Sequence, residues 1–192
     1  MILDIVKYDH PVLRKKGTRI GTVSAEIKKL AADMLDTIHN GPARGIGLAA
    51  QQIGRALQLA VIDISGVKDR ESRMWIDGKP VDPEAYMPLL LIDPEISGTK
   101  SKVKAFEGCL SFPGLSLEIS RSQRVKVKTR TEAGSLFEFE AGGLLGRAVQ
   151  HEFDHLQGRL FIDLISASER REHRDDLEAI KLGLPLPSRE EE

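Results

Sequence analysis

Two histidines four residues apart place the strongest constraint on how this chain can fold. His151 and His155 lie in the segment 142–157, which is predicted to be a helix that ends at Gly158. Residues at this spacing share one helix face, so both imidazoles can bind one metal ion while Glu152 reaches a water molecule on it. A catalytic site of this kind needs a third protein ligand and an open position. The fold must therefore bring another segment of the chain to this helix.

The third ligand can come from either direction along the sequence. Upstream, Cys109 is the only cysteine, so it cannot form a disulfide within the chain. A thiolate beside two imidazoles makes a soft, anionic donor set that suits a divalent transition metal. Downstream, as in metalloproteases with this type of helix, the candidate donors are Glu169, Glu172, His173 and Glu178. The spacing leaves open both a cysteine-ligated site and a zinc endopeptidase that uses a downstream glutamate.

Composition indicates one ordinary globular domain. The chain has 192 residues, of which 41% are hydrophobic, enough for a single core. With 28 Lys and Arg against 29 Asp and Glu, the net charge is −1, which excludes the strongly basic class of nucleic-acid binders. No apolar run approaches the roughly 20 residues that cross a bilayer, and the N-terminus lacks the apolar stretch of a secretion signal. We expect a cytoplasmic protein with neither a membrane nor a specific nucleic-acid partner.

Hydrophobic periodicity predicts an α+β fold. Apolar residues recur at helical spacing over 24–40, and Gly41 and Pro42 then stop this helix. The predicted strands are 57–64, 89–92, 123–130 and 136–140, the last two as antiparallel neighbours, with an inserted loop or hairpin at 65–87 and a polar third helix at 167–182. We expect antiparallel sheets packed around a central helix that carries the HExxH motif. Residues 1–165 would form the catalytic domain, and 166–192 a C-terminal helix and acidic tail.

Three segments of the chain resemble, in order, the signature motifs of the peptide deformylases. They are GIGLAAQQ at 45–52, EGCLS at 107–111 and QHEFDHLQG at 150–158. The likeness also covers the opening at 8–14 and extends to about residue 165. Three motifs in the right order are far more specific than one HExxH match. The resemblance implies a metal-dependent hydrolase that removes the formyl group from N-terminal formyl-methionine of newly synthesised polypeptides, releasing formate.

The resemblance also implies how the site works. Cys109, His151 and His155 would ligate the metal, and water would take the fourth position. Water would be the nucleophile, with Glu152 as general base, so the cysteine stays a ligand. The family usually carries Fe²⁺, and Zn²⁺, Ni²⁺ or Co²⁺ can occupy such a site. A thiolate-bearing site accepts several of these ions, so the residues do not choose among them.

Contacts with the substrate follow from the same motifs. By resemblance, the Gln52 side-chain amide and the backbone N–H of Leu110 would stabilise the oxyanion, and loss of one such donor typically costs about 10²–10³ in rate. An extended peptide would bond to the backbone near Ile46 and Gly47, as in strand addition. The residues expected to contact substrate are Ile46, Gly47, Leu48, Gly108, Leu144 and Ala148. Leu144 and Ala148 fit equally well as ordinary core, because apolar residues on a helix face usually pack inward.

The chain departs from the family pattern at two positions. Gly146 stands where alanine is common, and glycine within a helix costs roughly 0.5–1 kcal/mol relative to alanine, so we expect a locally looser helix. Ser116 stands where many relatives carry an arginine, which removes one expected contact with the substrate tail.

The expected partners are nascent N-formylmethionyl polypeptides. A transient contact with the ribosome is a further candidate interaction. For the location, an organelle is the alternative to the bacterial cytoplasm. A catalytically silent relative that acts as an interaction module is a further alternative. It would require a broken catalytic residue, yet Gln52, Glu152 and all three candidate ligands are present.

Overall fold

Two antiparallel sheets make up the β structure of the protein. The computed structural model describes residues 1–42 and 44–186, and the nine strands found there are β1 (Gly47–Ala49), β2 (Leu59–Ile62), β3 (Ser72–Ile76), β4 (Lys79–Val81), β5 (Leu89–Gly98), β6 (Lys102–Cys109), β7 (Phe112–Ser122), β8 (Arg124–Arg130) and β9 (Leu136–Gly142). Seven of them form one sheet in the order β1-β2-β5-β8-β9-β3-β4. The other two, β6 and β7, pair as a separate hairpin. The predicted α+β class with antiparallel sheets is confirmed.

Four α-helices accompany these sheets in the described residues: α1 (Ala25–Asn40), α2 (Gly143–Leu156), α3 (Ala167–Glu172) and α4 (Arg174–Leu182). The hydroxyl of Ser24 accepts a hydrogen bond from the Ile27 N–H, 3.3 Å away, and so caps the start of α1 as its sequence predicts. The HEFDH sequence lies within α2. No helix in the described part of the chain has the length and apolar character needed to span a bilayer.

The single helix predicted over 167–182 is wrong, because the chain leaves helical geometry at His173 (φ −95°, ψ 13°). The α3 helix buries none of its residues, whereas α4 buries Leu177 and Ile180 against a cluster that includes Phe112 and Phe161. Helix α4 thus packs on the hairpin side of the core. Charged residues dominate both helices, so the apolar pattern does not reveal where one ends.

The strand predictions hold in part. The hairpin within 65–87 is confirmed as β3 and β4, which pair antiparallel around Asp77 and Gly78. Strands β8 and β9 pair as predicted, whereas β5 continues to Gly98, past a register shift after Ile92. The β6–β7 hairpin was not predicted. Its signal was the alternation over 115–121, where every second residue from Leu115 to Arg121 is buried.

Helix α2 contacts strands of both sheets. Leu145 and Val149 are fully buried in a cluster with residues of the seven-stranded sheet. Another face of α2 lies near the cluster that contains Phe112 and Phe161. There the centroid of the His151 ring lies 5.8 Å from that of the Phe161 ring. The chemistry-bearing segment of the sequence therefore lies where the two parts of the core meet.

Gly146 is required by close packing within this arrangement, contrary to the expected looser helix. A Cβ at this position would lie 2.8 Å from the carbonyl oxygen of Ala141 and 3.0 Å from its carbonyl carbon. Both atoms belong to the backbone of β9, which the neighbouring strands hold in place. The glycine lets α2 approach β9 more closely than alanine would allow.

We predict that Gly146→Ala destabilises the protein. Helix propensity alone would favour alanine by roughly 0.5–1 kcal/mol, but overpacking against fixed backbone typically costs about 1–3 kcal/mol. Denaturant unfolding should show a lower free energy of unfolding for the variant, and Ser168→Ala, at an exposed position in α3, serves as the control for propensity. A more stable Gly146→Ala protein would mean that the contact with Ala141 is not restrictive.

Candidate active site

The three candidate ligands come together although they lie on separate elements. Cys109 is the last residue of β6, whereas His151 and His155 lie on α2. Their donor atoms all lie within 4.8 Å of one another, and Cys109 Sγ is 3.3 Å from His155 Nε2. Within residues 1–42 and 44–186 this is the only group of three or more Cys, His, Asp or Glu side chains arranged in this way. The alternative with a downstream carboxylate as third ligand is therefore wrong.

The chemistry of this donor set fits a divalent transition metal. Burial lowers the pKa of His155 well below its ordinary value, which keeps the imidazole in the neutral form that binds metal. The Nδ1 of His151 lies 2.9 Å from Oε2 of Glu107, within hydrogen-bond distance. This leaves Nε2 as the nitrogen that can bind a metal. One thiolate and two imidazoles form a soft set suited to such an ion. The site can hold a metal through three protein ligands.

Glu107 links the ligands to a buried network of charges. Its carboxylate accepts hydrogen bonds at 2.9 Å from both Nε and Nη2 of Arg121 and at 2.8 Å from Nη1 of Arg147. Burial opposes ionisation, but the bonds from Arg121 and His151 outweigh it and hold the pKa of Glu107 far below its usual range. Arg121 also pairs with the buried carboxylate of Asp154. Sequence reasoning assigned no role to Glu107, although the residue lies within the EGCLS motif.

The carboxylate of Glu152 lies against the backbone of β1. A Cβ at position 47 would come within 2.3 Å of Glu152 Oε1, so only glycine permits this approach. Glu152 Oε2 is buried and has no hydrogen-bond partner among the described residues. Burial raises the pKa of Glu152 to about 7. A carboxyl group with this pKa can both accept and donate a proton near neutral pH.

Gln52 and Leu110 lie beside the ligands. The Gln52 Oε1 accepts a hydrogen bond from the Ala49 N–H at 2.9 Å, and its Nε2 lies 3.4 Å from both Cys109 Sγ and Ser111 Oγ. Leu110 follows Cys109 directly in the sequence. Together with Gln52 and Cys109 it lines the main cleft of the protein.

The N-terminal segment ties together the elements that carry these two residues. The Val6 N–H donates to the Gln52 carbonyl at 2.8 Å, and the Tyr8 N–H donates to the Ser111 carbonyl at 3.0 Å. Lys7 Nζ bonds to the carbonyl oxygen of Leu110 at 3.0 Å. Residues 6–8 thus bond to both the GIGLAAQQ motif and the EGCLS motif and hold the two next to each other.

A cleft of about 660 Å³ opens onto two of the three candidate ligands, Cys109 and His151. Five of the six residues expected to contact substrate line it: Ile46, Gly47, Gly108, Leu144 and Ala148. Leu144 and Ala148 also belong to a core cluster, so the core interpretation holds for them, and their contact with substrate stays a prediction. Leu48 does not line the cleft. Its side chain is fully buried on the opposite side of β1, in a cluster with residues of α1, because successive residues of a strand point to opposite faces.

The wall of the cleft beyond the ligands contains Phe106, which is 64% exposed. Ser116, paired with Gly108 across the hairpin, also lines this wall. Because position 116 is serine, no long basic side chain extends from this part of the wall.

Fold and site together define an α+β protein with a cysteine–histidine–histidine centre in which both histidines are buried, a carboxylate beside it and a cleft in front. A model of the polypeptide deformylase family matches residues 2–171. The chain belongs to the polypeptide deformylase family. It is 54% identical to a peptide deformylase from Methylacidiphilum infernorum, over 95% of both chains, and 40% identical to one from Aquifex aeolicus, over 89% of this chain and 92% of that one.

Solved structures agree with this assignment. A crystal structure of a peptide deformylase from Legionella pneumophila superposes with a TM-score of 0.76 at 34% identity and covers 95% of this chain and 96% of that one. The corresponding values for a crystal structure of the peptide deformylase from Ehrlichia chaffeensis are 0.78 and 31%, with coverage of 95% and 97%. The predicted resemblance is confirmed, and it extends past the predicted end at about residue 165, since the family model matches up to residue 171.

We predict that burial of Glu152 makes the stability of the metal-free protein depend on pH. Because the folded state holds this proton more tightly than an unfolded chain does, the free energy of unfolding falls as pH rises from about 4.5 to about 7. Glu152→Gln has no such proton, so its stability relative to wild type should increase over that interval by about 3 kcal/mol. Denaturant unfolding of chelator-treated proteins between pH 5 and 8 measures this difference, and a constant difference would contradict the prediction.

Proposed function

We propose that this protein removes the formyl group from the N-terminal formyl-methionine of newly synthesised polypeptides, with release of formate. The observation that carries the proposal is the convergence of Cys109, His151 and His155 within 4.8 Å at a cleft that also holds Glu152 and Gln52. Membership of the polypeptide deformylase family supports the same reaction. The intact set of side chains argues against a silent relative.

Cys109, His151 and His155 would hold one divalent metal, with Fe²⁺ as the native ion and Zn²⁺, Ni²⁺ or Co²⁺ as substitutes. When bound, such an ion supplies Lewis acidity, which lowers the pKa of water and polarises a carbonyl group. Cys109 would act as a ligand throughout, and water would be the nucleophile. In this proposal α2 is the catalytic helix around which the two sheets are organised.

Glu152 would move the proton in both halves of the reaction. Its buried carboxylate, with a pKa of about 7, would take a proton from the attacking water. It would then deliver that proton to the departing amine as the C–N bond of the formamide breaks. One water and one formamide thus give one formate and one free amino terminus, with no change in the charge of Glu152 over the cycle.

Gln52 and Leu110 would stabilise the oxyanion that forms on the formyl carbon. The Gln52 amide is oriented by the bond from the Ala49 N–H to its oxygen, which directs the NH₂ group toward Cys109. The backbone N–H of Leu110 would supply the second donor. Donors oriented before the reaction stabilise developing charge without a reorganisation cost, and each is typically worth about 10²–10³ in rate.

The peptide would bind in extended form beside β1. Backbone groups near Ile46 and Gly47 would bond it as an added strand, which does not depend on the substrate's side chains and suits an enzyme that acts on many proteins. Gly108 leaves room on the opposite wall, since it carries no side chain. The methionine side chain would lie against Leu144 and Ala148, which are apolar and line the cleft.

We assign the catalytic domain to residues 1–165 and treat 166–192 as an extension. The acidic tail at 187–192 lies outside the described residues, but α4 packs on the core through Leu177 and Ile180. The proposed location is the cytoplasm of a bacterial cell, with an organelle as the alternative, and the partners are nascent formylated chains, with transient ribosome contact left open.

Release of formate from a formyl-Met-Ala peptide tests the proposed reaction. Protein purified without oxygen and reconstituted with Fe²⁺ or Ni²⁺ should release formate, and a chelator-treated sample should not. A folded, fully metallated sample that releases none would overturn the proposal, and cleavage of internal peptide bonds would instead indicate an endopeptidase.

Two variants separate the roles within the site. Glu152→Gln should keep the metal, since Glu152 is not a ligand, while kcat falls by several orders of magnitude. Cys109→Ser should weaken metal retention without unfolding the core. Metal content by atomic emission, measured beside formate release, distinguishes these outcomes. Loss of metal from Glu152→Gln, or wild-type metal retention and rate in Cys109→Ser, would show that the corresponding role is wrong.

A further inference from the structure

We propose that Arg147 is a positioning residue that sets the distance between the ligand-bearing helix α2 and the ligand-bearing strand β6. This inference rests on the proposed metal site, and it concerns a residue that the reaction itself does not use. Arg147 is only 6% exposed and lies one helical turn before His151. Arg147 is among the residues that line the cleft, and its guanidinium group bonds to buried acceptors of the hairpin.

The guanidinium group of Arg147 bonds to both strands of the β6–β7 hairpin. Nη2 donates to the carbonyl oxygen of Val103 at 2.9 Å. Nη1 lies 2.8 Å from the carbonyl oxygen of Ile119 and 3.3 Å from that of Ala105. One side chain of α2 therefore holds three backbone carbonyls of the hairpin. These carbonyls fix where β6 runs, and Cys109 is the last residue of β6.

A second connection runs from Arg147 to the ligands through Glu107. Arg147 Nη1 donates to Glu107 Oε1 at 2.8 Å, and the other carboxylate oxygen, Oε2, contacts His151 Nδ1 at 2.9 Å. Glu107 precedes Cys109 by two residues on the same strand. The Glu107 carboxylate therefore lies between the guanidinium group of Arg147 and the imidazole of His151, on the strand that ends with Cys109. Partners that hold the outer nitrogen of a ligating histidine fix its ring orientation, and their loss typically costs about 10–100-fold in metal affinity or activity.

The buried charges of this network are paired within the protein. Two buried arginines, Arg121 and Arg147, face two buried carboxylates, Glu107 and Asp154, and the exposed Arg159 also pairs with Asp154. Arg121 holds Glu107 through Nε and Nη2 without contacting the carbonyls of the hairpin that Arg147 binds. Both arginines join helix to hairpin, Arg121 from β7 through Asp154 on α2 and Arg147 from α2, but they differ in that Arg147 also binds backbone carbonyls of the hairpin. Lysine could keep the charge at position 147, but a single ammonium group cannot reproduce the fork of donors.

Holoenzyme loaded with Co²⁺ tests this proposal through Arg147→Met and Arg147→Lys. The absorption bands of the thiolate-bound ion report ligand geometry, and transfer of Co²⁺ to an added chelator reports its retention; neither requires formate release. We expect Arg147→Met to alter the bands and to release Co²⁺ about 10–100-fold faster, with kcat lowered by a similar factor and KM little changed. Arg147→Lys should recover part of each effect.

The matched control is Arg124→Met, which removes a guanidinium group that pairs with Glu140 and lies over the ring of Trp75, away from the cleft. It should leave the Co²⁺ bands and the release rate as in wild type, even if the melting temperature falls. Wild-type bands and retention in Arg147→Met would overturn the proposal. If that variant does not fold, the same result in Arg147→Lys would overturn it.

Failure of the proposed function looks different from failure of this inference. A wild-type protein that binds Co²⁺ but releases no formate would leave the role of Arg147 in metal retention intact. Wild-type formate release by Arg147→Met with unchanged Co²⁺ retention would reject the positioning role and support the deformylase reaction.

Discussion

The site depends on one buried carboxylate. Glu107 accepts hydrogen bonds from Arg121 and Arg147 and contacts Nδ1 of His151. A carboxylate taken out of water is costly unless charged donors compensate it, and here three side chains do so from two elements. Because Arg121 lies on β7, Arg147 and His151 on α2, and Glu107 on β6, the same contacts that keep the carboxylate ionised also hold helix and hairpin together. Removing the carboxylate would leave two buried guanidinium groups without their main partner.

The remaining parts of the site are placed by close backbone approaches. Glycine at position 47 lets β1 lie against Glu152, and glycine at position 146 lets α2 lie against β9. The N-terminal segment then bonds to both Gln52 and Ser111, which joins the first motif to the second. A site built from five or six side chains thus requires precise placement of segments that are about fifty residues apart in the chain. Strands and a helix supply that placement more rigidly than loops could.

Much of this was predictable from local patterns. The helix over 24–40 followed from apolar periodicity and its end signal, the end of the helix over 142–157 followed from Gly158, and the β8–β9 pair followed from alternation. The break at His173 did not, because α3 and α4 are mostly charged and their difference lies in what Leu177 and Ile180 pack against. The burial of the Leu48 side chain away from the cleft was not predicted for a related reason. The motif gives residue type, but the face of a three-residue strand is decided by its neighbours.

The sequence by itself determined the candidate ligand types, their order and the helix that carries two of them, since a spacing of four residues has a physical meaning in a helix. It left open whether the third donor lay upstream or downstream, because spacing carries no information about contacts between distant segments. Tertiary structure favours Cys109, because the Sγ of this last residue of β6 lies 3.3 Å from Nε2 of His155. It also brought Glu107 and Arg147 together beside His151, and their charges stand out only when burial shows that each must have a partner.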